Sequence, residues 1–182
     1  MKRYQIALIF FSLGIALVTF SFDWFLSFND KVTTTTTTVS DSGPEYSSLN
    51  IFFSNTNQDP NGLYCDKTYP IVRKISRPTN NPASRLGEFA YVAIKELLKG
   101  PTDAEKKEGF LTSINPETKV QKISIVDGVA TVDFNQGLGR EVGGSCRVGA
   151  IRSQITETLK QFPEIKDVVI SINGETETIL QP

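Results

Sequence analysis

The sequence predicts an α+β fold in which a mixed, largely antiparallel sheet carries two helices packed on one face. Three observations support this: two amphipathic helical stretches, several short strands rich in β-branched residues, and two turn-forming dipeptides between neighbouring strands. Each helix has one apolar stripe, and the apolar face of the sheet must be buried. Packing both helices on one sheet face is therefore the simplest arrangement. The 182 residues, 39% of them hydrophobic, suffice for one domain with a core and additional segments.

The first helix is predicted from its two ends and its apolar stripe. Asn81 suits the N-cap and Pro82 the first helical position, where a missing N–H costs nothing. Gly100 can adopt the left-handed conformation that ends a helix and Pro101 cannot continue one, so the helix should end near Lys99. The stripe, at 3.6-residue spacing, comprises Leu86, Phe89, Ala90, Ala93 and Leu97.

A capped turn and a β-hairpin follow the first helix. Thr102 and Glu105 fit a capping box, in which the hydroxyl and the carboxylate each accept a hydrogen bond from a backbone N–H. Residues 120–126 and 129–134 then flank Asp127-Gly128, a pair that supplies positive φ at both centres of a type I′ turn. These features predict a tight antiparallel hairpin.

The second helix should begin near Ser145, which can cap it after the Gly143-Gly144 pair. It should run to Phe162, because Pro163 follows. Its apolar stripe consists of Val148, Ile151, Ile155, Leu159 and Phe162.

Four further extended segments are predicted. Residues 49–54 and 63–75 read as early strands, separated by a cluster of turn formers. Residues 167–172 are β-branched, and Asn173-Gly174 predicts a second hairpin turn into residues 175–180. The expected order is therefore strand, helix, hairpin, helix, hairpin.

The order of three segments, KGPT, SINP and the hairpin ISIVDGVATVDF, resembles the GerMN domain of GerM-type sporulation and spore germination proteins. A second block, from Gly143 to Gly174, resembles the second half of the same domain. The likeness covers roughly residues 48–181. It implies an extracytoplasmic, non-catalytic module whose fold is similar to the ring-building motifs of membrane-associated assemblies, and it implies no catalytic residue.

The N-terminal 28 residues predict a signal anchor, a single membrane-spanning helix. Lys2 and Arg3 precede seventeen uncharged residues, 6–22, and a helix over residues 6–28 would be about 34 Å long, enough for a bilayer core. The basic residues predict that the N-terminus is cytoplasmic and the rest of the chain extracytoplasmic. A cleaved signal peptide, which would leave a secreted protein, is the alternative. The Thr- and Ser-rich residues 29–48 predict a linker to a GerMN-like domain over 49–182.

Composition argues against several functions. The chain has no histidine, which excludes Ser-His and Cys-His nucleophile pairs and removes the commonest nitrogen ligand of zinc. From residue 49 onward, 16 Lys or Arg balance 16 Asp or Glu, so a general nucleic-acid surface is not expected. No metal site and no cofactor are predicted.

The two cysteines, Cys65 and Cys146, are too few and too far apart in sequence for a zinc cluster. In an extracytoplasmic domain they favour a disulfide, which would join an early extended segment to the start of the second helix. Two buried free thiols are the alternative.

A glycine-rich loop precedes the second helix and can in principle hold an anion, although it lacks a phosphate-loop pattern. Nearby arginines and early tyrosines make an acidic ligand or a partner protein conceivable. The candidate binding residues are Tyr64, Arg140, Gly143, Gly144, Ser145 and Arg147.

Asp133 and Glu141 are the acids considered for general acid and base chemistry, but a structural role is the ordinary explanation. The chain is therefore not expected to be an enzyme. The predicted function is a membrane-anchored interaction or assembly module of the bacterial cell envelope, which binds another envelope protein or itself. A domain that binds cell-wall glycan or peptide is the alternative.

Overall fold

The computed structural model describes residues 46–76 and 85–181. In chain order the elements are β1 (Tyr46–Asn55), β2 (Tyr69–Ser76), α1 (Arg85–Leu98), α2 (Asp103–Lys107), β3 (Phe110–Leu111), β4 (Val120–Val126), β5 (Val129–Phe134), α3 (Ser145–Lys160) and β6 (Asp167–Ile172). A short 3-10 helix, Gln136–Gly139, leads from β5 towards α3. Within the described residues, no helix combines the length and apolar character needed to cross a membrane. The predicted anchor, residues 1–28, lies outside them.

The strands form two three-stranded sheets, in the orders β2-β1-β3 and β4-β5-β6. All strand pairs are antiparallel except β5 and β6, which are parallel. Side chains of helix α3 bond the backbone of β1 directly. The backbone N–H of Phe52 donates to Thr158 Oγ1, and the backbone of Asn50 bonds the side chain of Gln161 through both its N–H and its C=O. Side chains of α3 thus occupy the edge of β1 where a further strand would pair.

Both main helices pack against β1, and each also contacts the second sheet. Helix α1 lies on β1 and β4, while α3 lies on β1, β6 and α1. One core results, in which Phe53 of β1 and Phe134 of β5 are fully buried. The predicted α+β class with two main helices is confirmed, although the strands form two small sheets and not one.

The predicted end of the first helix, the capping box and the first hairpin are confirmed. Helix α1 ends at Leu98, and Gly100 follows with φ +72°. Thr102 Oγ1 accepts a hydrogen bond from the Glu105 N–H at 3.3 Å, while Glu105 Oε2 accepts from the Thr102 N–H at 2.6 Å. Asp127 and the glycine after it have φ values of 49° and 81° between β4 and β5. The predicted cap at Asn81-Pro82 lies outside the described residues.

Helix α3 differs from its prediction at both ends. It begins at Ser145, so this residue is not the N-cap; Gly144 holds that position with φ +84°, and no side chain caps the helix. The helix ends at Lys160, before the predicted Phe162. A glycine at the cap leaves the first backbone N–H groups of α3 without a side-chain acceptor, which only the tertiary structure reveals.

The second predicted hairpin is wrong beyond its turn. Asn173 and Gly174 turn the chain as expected, but a single bridge between Ile172 and Glu175 replaces the strand over 175–180. Ile179 and Leu180 are both buried. Neighbouring side chains in a strand point to opposite faces, so two consecutive core residues favour an irregular segment here.

The early strands also have different bounds from those predicted. β1 begins at Tyr46, before the expected start at 49, and β2 is limited to Tyr69–Ser76, because the residues before it form a loop. The two-residue strand β3 was not predicted and pairs with Ser54 and Asn55 of β1.

Candidate binding cleft

A cleft of about 270 Å³ lies where the loop of residues 56–68 meets the first turns of α3. The loop supplies Asp59, Tyr64 and Lys67, helix α3 supplies Arg147, and β3 supplies Leu111. The cleft therefore collects side chains from three separate parts of the chain.

The predicted disulfide is present and forms part of the cleft wall. Cys65 in the loop is bonded to Cys146 in the first turn of α3, and their Cα atoms are 4.9 Å apart. The bond spans a sequence separation of 81 residues, for which the chain-entropy model gives a stabilisation of about 4.5 kcal/mol. It also ties the two walls of the cleft to each other.

The loop is further ordered by side chains that bond its own backbone. The Asp59 carboxylate accepts hydrogen bonds from the N–H groups of Leu63 at 3.2 Å and Tyr64 at 2.9 Å. Asn55 Oδ1 accepts from the Asn57 N–H at 2.8 Å. Aspartate and asparagine commonly stabilise turns in this way. Tyr64 and its neighbours are therefore held in place despite their exposure.

Two cations line the cleft. The Lys67 ammonium lies 5.5 Å from the ring centroid of Tyr64 and 5.6 Å from that of Tyr69, within the range of cation–π attraction. Arg147 is half-buried and donates to the Glu141 carbonyl at 3.0 Å and to Asn115 Oδ1 at 2.5 Å. Among the described residues, neither cation has a carboxylate within 4.0 Å.

Exposed apolar side chains lie in the cleft lining and next to it in the chain. Tyr64 and Leu111 line the cleft and are 61% and 38% exposed, and Leu63, between the lining residues Gly62 and Tyr64 in the loop, is 70% exposed. These three residues are called the cleft rim below. The other large exposed apolar side chains of the described residues lie elsewhere; they are Val72, Tyr91 and Val126.

The structure brings only some of the predicted binding residues together. Tyr64 and Arg147 both line the cleft. Arg140 instead points to Glu117, with 3.4 Å between Nη1 and Oε1. Gly143 and Gly144 precede α3 and Ser145 begins it; all three are exposed, and none is part of the cleft lining.

Sequence reasoning missed Lys67, Leu63 and Leu111 as site residues. Each is unremarkable in its own segment, and the segments come together only in the tertiary structure, where the disulfide joins the loop to α3 and β3 pairs with β1. The one available signal was Leu63, an apolar residue directly after a dense cluster of turn formers, where exposure is expected.

The two acids considered for catalysis lie in different settings. Asp133 Oδ1 accepts hydrogen bonds from Ser171 Oγ at 2.6 Å and from the Gly174 N–H at 2.7 Å, so it links β5 to β6 and to the turn after β6. Glu141 is exposed in the connection before α3, and its carbonyl accepts from Arg147. The contacts of Asp133 are those of a structural carboxylate.

The family described as Germane, sporulation and spore germination, matches residues 50–178. The chain belongs to this family. Its domain is the GerMN domain, so the resemblance read from the KGPT, SINP and hairpin segments is confirmed.

Among curated proteins, the spore germination protein GerM of Bacillus subtilis (strain 168) is 29% identical to this GerMN chain over 113 residues. That match covers 60% of this chain and 28% of GerM. The present chain therefore spans well under half of the relative's length.

Two solved structures are similar to this GerMN domain. The tandem GerMN domains of GerM from Bacillus subtilis are 26% identical, with a TM-score of 0.53, over 72% of this chain and 40% of that one. The first GerMN domain of the same protein is 19% identical, with a TM-score of 0.48, over 72% of this chain and 86% of that one. The tandem structure supports the GerMN fold described above.

Proposed function

We propose that this chain is a non-catalytic interaction module of the bacterial cell envelope, held by an N-terminal membrane anchor with its GerMN domain outside the cytoplasm. The module binds another envelope protein, or a second copy of itself, through the Cys65–Cys146 cleft. The observation that carries this proposal is the cleft rim: the exposed side chains of Tyr64 and Leu111 line the cleft together with two cations, and the exposed Leu63 adjoins Tyr64 in the loop.

The composition of the cleft is that of a protein interface. Tyr64 and Arg147 belong to the residue types that most often dominate binding energy, and Leu63 and Leu111 add apolar area around them. Clustered exposed apolar side chains on a soluble domain mark interaction sites more often than isolated ones do. The disulfide reduces the entropy lost on binding, because the cleft is already ordered.

The extracytoplasmic location is supported by the disulfide and by the N-terminal sequence. Disulfides persist in oxidising compartments and are rare in the cytosol. The long apolar segment with Lys2 and Arg3 before it would place the following domain on the outer side of the membrane.

The non-catalytic assignment is supported by the state of the acidic residues. Asp133 is committed to hydrogen bonds that hold the end of the second sheet, and the cleft acid Asp59 accepts two backbone N–H groups of its loop. The chain has no histidine to act as a general base. The hydrogen bonds of both acids are therefore those of structural carboxylates.

A cell-wall glycan or peptide ligand is the second candidate. It is favoured by the exposed ring of Tyr64 next to Arg147, since an aromatic face and a guanidinium are suited to a sugar ring and an acidic group respectively. This candidate predicts retention of the protein on purified peptidoglycan at high salt, with loss of retention in Tyr64→Ala or Arg147→Gln.

Site-specific photo-crosslinking in living cells tests the proposal. A benzophenone amino acid is placed in the full chain at position 63 or, as a control, at position 126, since Leu63 and Val126 are similarly exposed at 70% and 65%. A defined protein adduct from position 63 and none from position 126 supports the proposal. Equal adducts at both positions, or none at either, would contradict it.

A further inference from the structure

The disulfide determines where the two cleft cations lie. Lys67 is two residues after Cys65, and Arg147 directly follows Cys146. Because the two cysteines are bonded, with Cα atoms 4.9 Å apart, both cations line one cleft although they are 80 positions apart in sequence. The covalent bond thus joins the two segments that place like charges in the lining of one cleft.

Neither cation has a carboxylate oxygen of the described residues within 4.0 Å. The two hydrogen bonds of Arg147 go to neutral oxygens, a carbonyl and an amide, and Lys67 lies against aromatic rings. The acid in the cleft lining, Asp59, already bonds the N–H groups of Leu63 and Tyr64. The guanidinium therefore retains donors for an incoming acceptor, and a bound anion would relieve the repulsion between the cations.

The neighbouring hollow limits the kind of anion. It has a volume of about 430 Å³, shares Tyr64 and Lys67 with the cleft, and carries the two acids Asp66 and Glu157. A polyanion long enough to extend from the cleft into this hollow would meet like charges there, which disfavours it. A single carboxylate flanked by uncharged groups fits both surfaces.

We propose that the cleft recognises a single carboxylate on an otherwise apolar segment of the partner protein, with Lys67 and Arg147 as its ligands. Arginine is suited to this role because its planar guanidinium can bond both oxygens of a carboxylate. The cleft rim receives the apolar side chains on either side of the acid. This inference rests on the proposed function, since it specifies the chemistry of the segment that the same cleft binds.

A matched pair of peptides tests the carboxylate requirement. The full chain in lipid nanodiscs is titrated by calorimetry with acetyl-Leu-Asp-Leu-amide and with acetyl-Leu-Asn-Leu-amide, up to about 10 mM. We expect saturable binding of the aspartate peptide, at least about tenfold tighter than the asparagine peptide, and weakened by added salt. Equal affinity for the two peptides, or no saturable binding of either, would overturn the inference.

Charge variants assign the binding to the two cations. Lys67→Gln and Arg147→Gln should each weaken binding of the aspartate peptide about tenfold. Lys160→Gln, an exposed cation near the other end of α3, should change nothing. Arg147→Lys retains the positive charge, so it should bind the aspartate peptide more tightly than Arg147→Gln does. This comparison separates the effect of lost charge from the effect of lost packing. Unchanged binding in both glutamine variants would refute the assignment.

The crosslinking experiment separates this inference from the proposed function. If position 63 yields a protein adduct while Lys67→Gln and Arg147→Gln leave that adduct unchanged, the interaction module stands and the carboxylate recognition fails. If position 63 yields no adduct, the proposed function itself fails.

Discussion

Replacing Arg73 with alanine should destabilise the GerMN domain more than almost any other single change at a charged residue. Its guanidinium contacts the Glu105 carboxylate at 2.6 and 3.3 Å and donates to the carbonyls of Glu96 and Gly100, each at 2.9 Å. The group lies over the Phe53 ring at 5.4 Å, and the side chain is only 12% exposed. One side chain of β2 thus joins the end of α1 to the start of α2.

The magnitude follows from what the truncation leaves behind. The Glu105 side chain, 15% exposed, would lose its counterion and keep its hydrogen bond from the Thr102 N–H. The carbonyls of Glu96, in the last turn of α1, and of Gly100, just after the helix, would lose a charged donor. Removing one partner of a buried ion pair costs about 3 to 5 kcal/mol. Because both side chains retain some contact with solvent, the lower end of that range, about 3 kcal/mol, is expected.

Urea denaturation followed by circular dichroism measures this effect. With a slope of about 1.5 to 2 kcal/mol per molar urea, the midpoint should fall by about 1.5 to 2 M. Lys74→Ala is the matched control, since Lys74 is the next residue of β2 and is exposed, and it should change stability by less than about 0.5 kcal/mol. A loss below 1 kcal/mol for Arg73→Ala, or an additive Arg73→Ala and Glu105→Ala cycle, would refute the reasoning.

Three further predictions concern the pH dependence of stability, the disulfide and two glycines. Burial raises the pKa of Glu105, but the hydrogen bonds from Arg73 and Thr102 and the Arg73 charge outweigh burial and lower that pKa. The stabilisation from Glu105 is therefore present above the unfolded pKa of about 4.3 and is lost as the pH falls through the folded pKa. Glu105→Gln should flatten this pH dependence of stability, measured by urea titrations at several pH values. The double Cys→Ser variant should lower the free energy of unfolding by about 4 kcal/mol in thermal or urea unfolding, and an unchanged stability would show that the loop is held without the bond. Gly137→Ala should lower the free energy of unfolding by about 1 to 3 kcal/mol, because the new Cβ would lie 2.7 Å from a backbone oxygen. Gly87→Ala, in α1 with open space around it, should raise the free energy of unfolding by about 0.5 to 1 kcal/mol. If the Gly137 variant melted at a higher temperature than the Gly87 variant, the packing argument would be contradicted.

Much of the fold could be predicted because local residues decide it. Asp127-Gly128 specifies its hairpin through backbone conformation, and Thr102 with Glu105 specifies a helix start through hydrogen bonds three residues apart. Such features need no distant partner. They also lie within the segments that resemble the GerMN family.

The failed prediction over residues 175–180 shows the limit of local reasoning. Asn173-Gly174 forms a turn as expected, but burial of both Ile179 and Leu180 outweighs the strand pattern. The hydrogen bonds from the β1 backbone to Thr158 and Gln161 of α3 are similar, because they join residues 106 and 111 positions apart in the chain. Long-range packing decided both features.

By itself, the sequence determined the family, the helices, the β4–β5 hairpin and the pair of cysteines, because each is written in neighbouring residues or in composition. The tertiary structure alone decided the cleft. Lys67, Arg147 and the cleft rim come from three segments whose proximity depends on the Cys65–Cys146 bond and on the packing of α3 against β1. A binding surface built from such distant segments leaves no local pattern, since its members share a location and not a sequence neighbourhood.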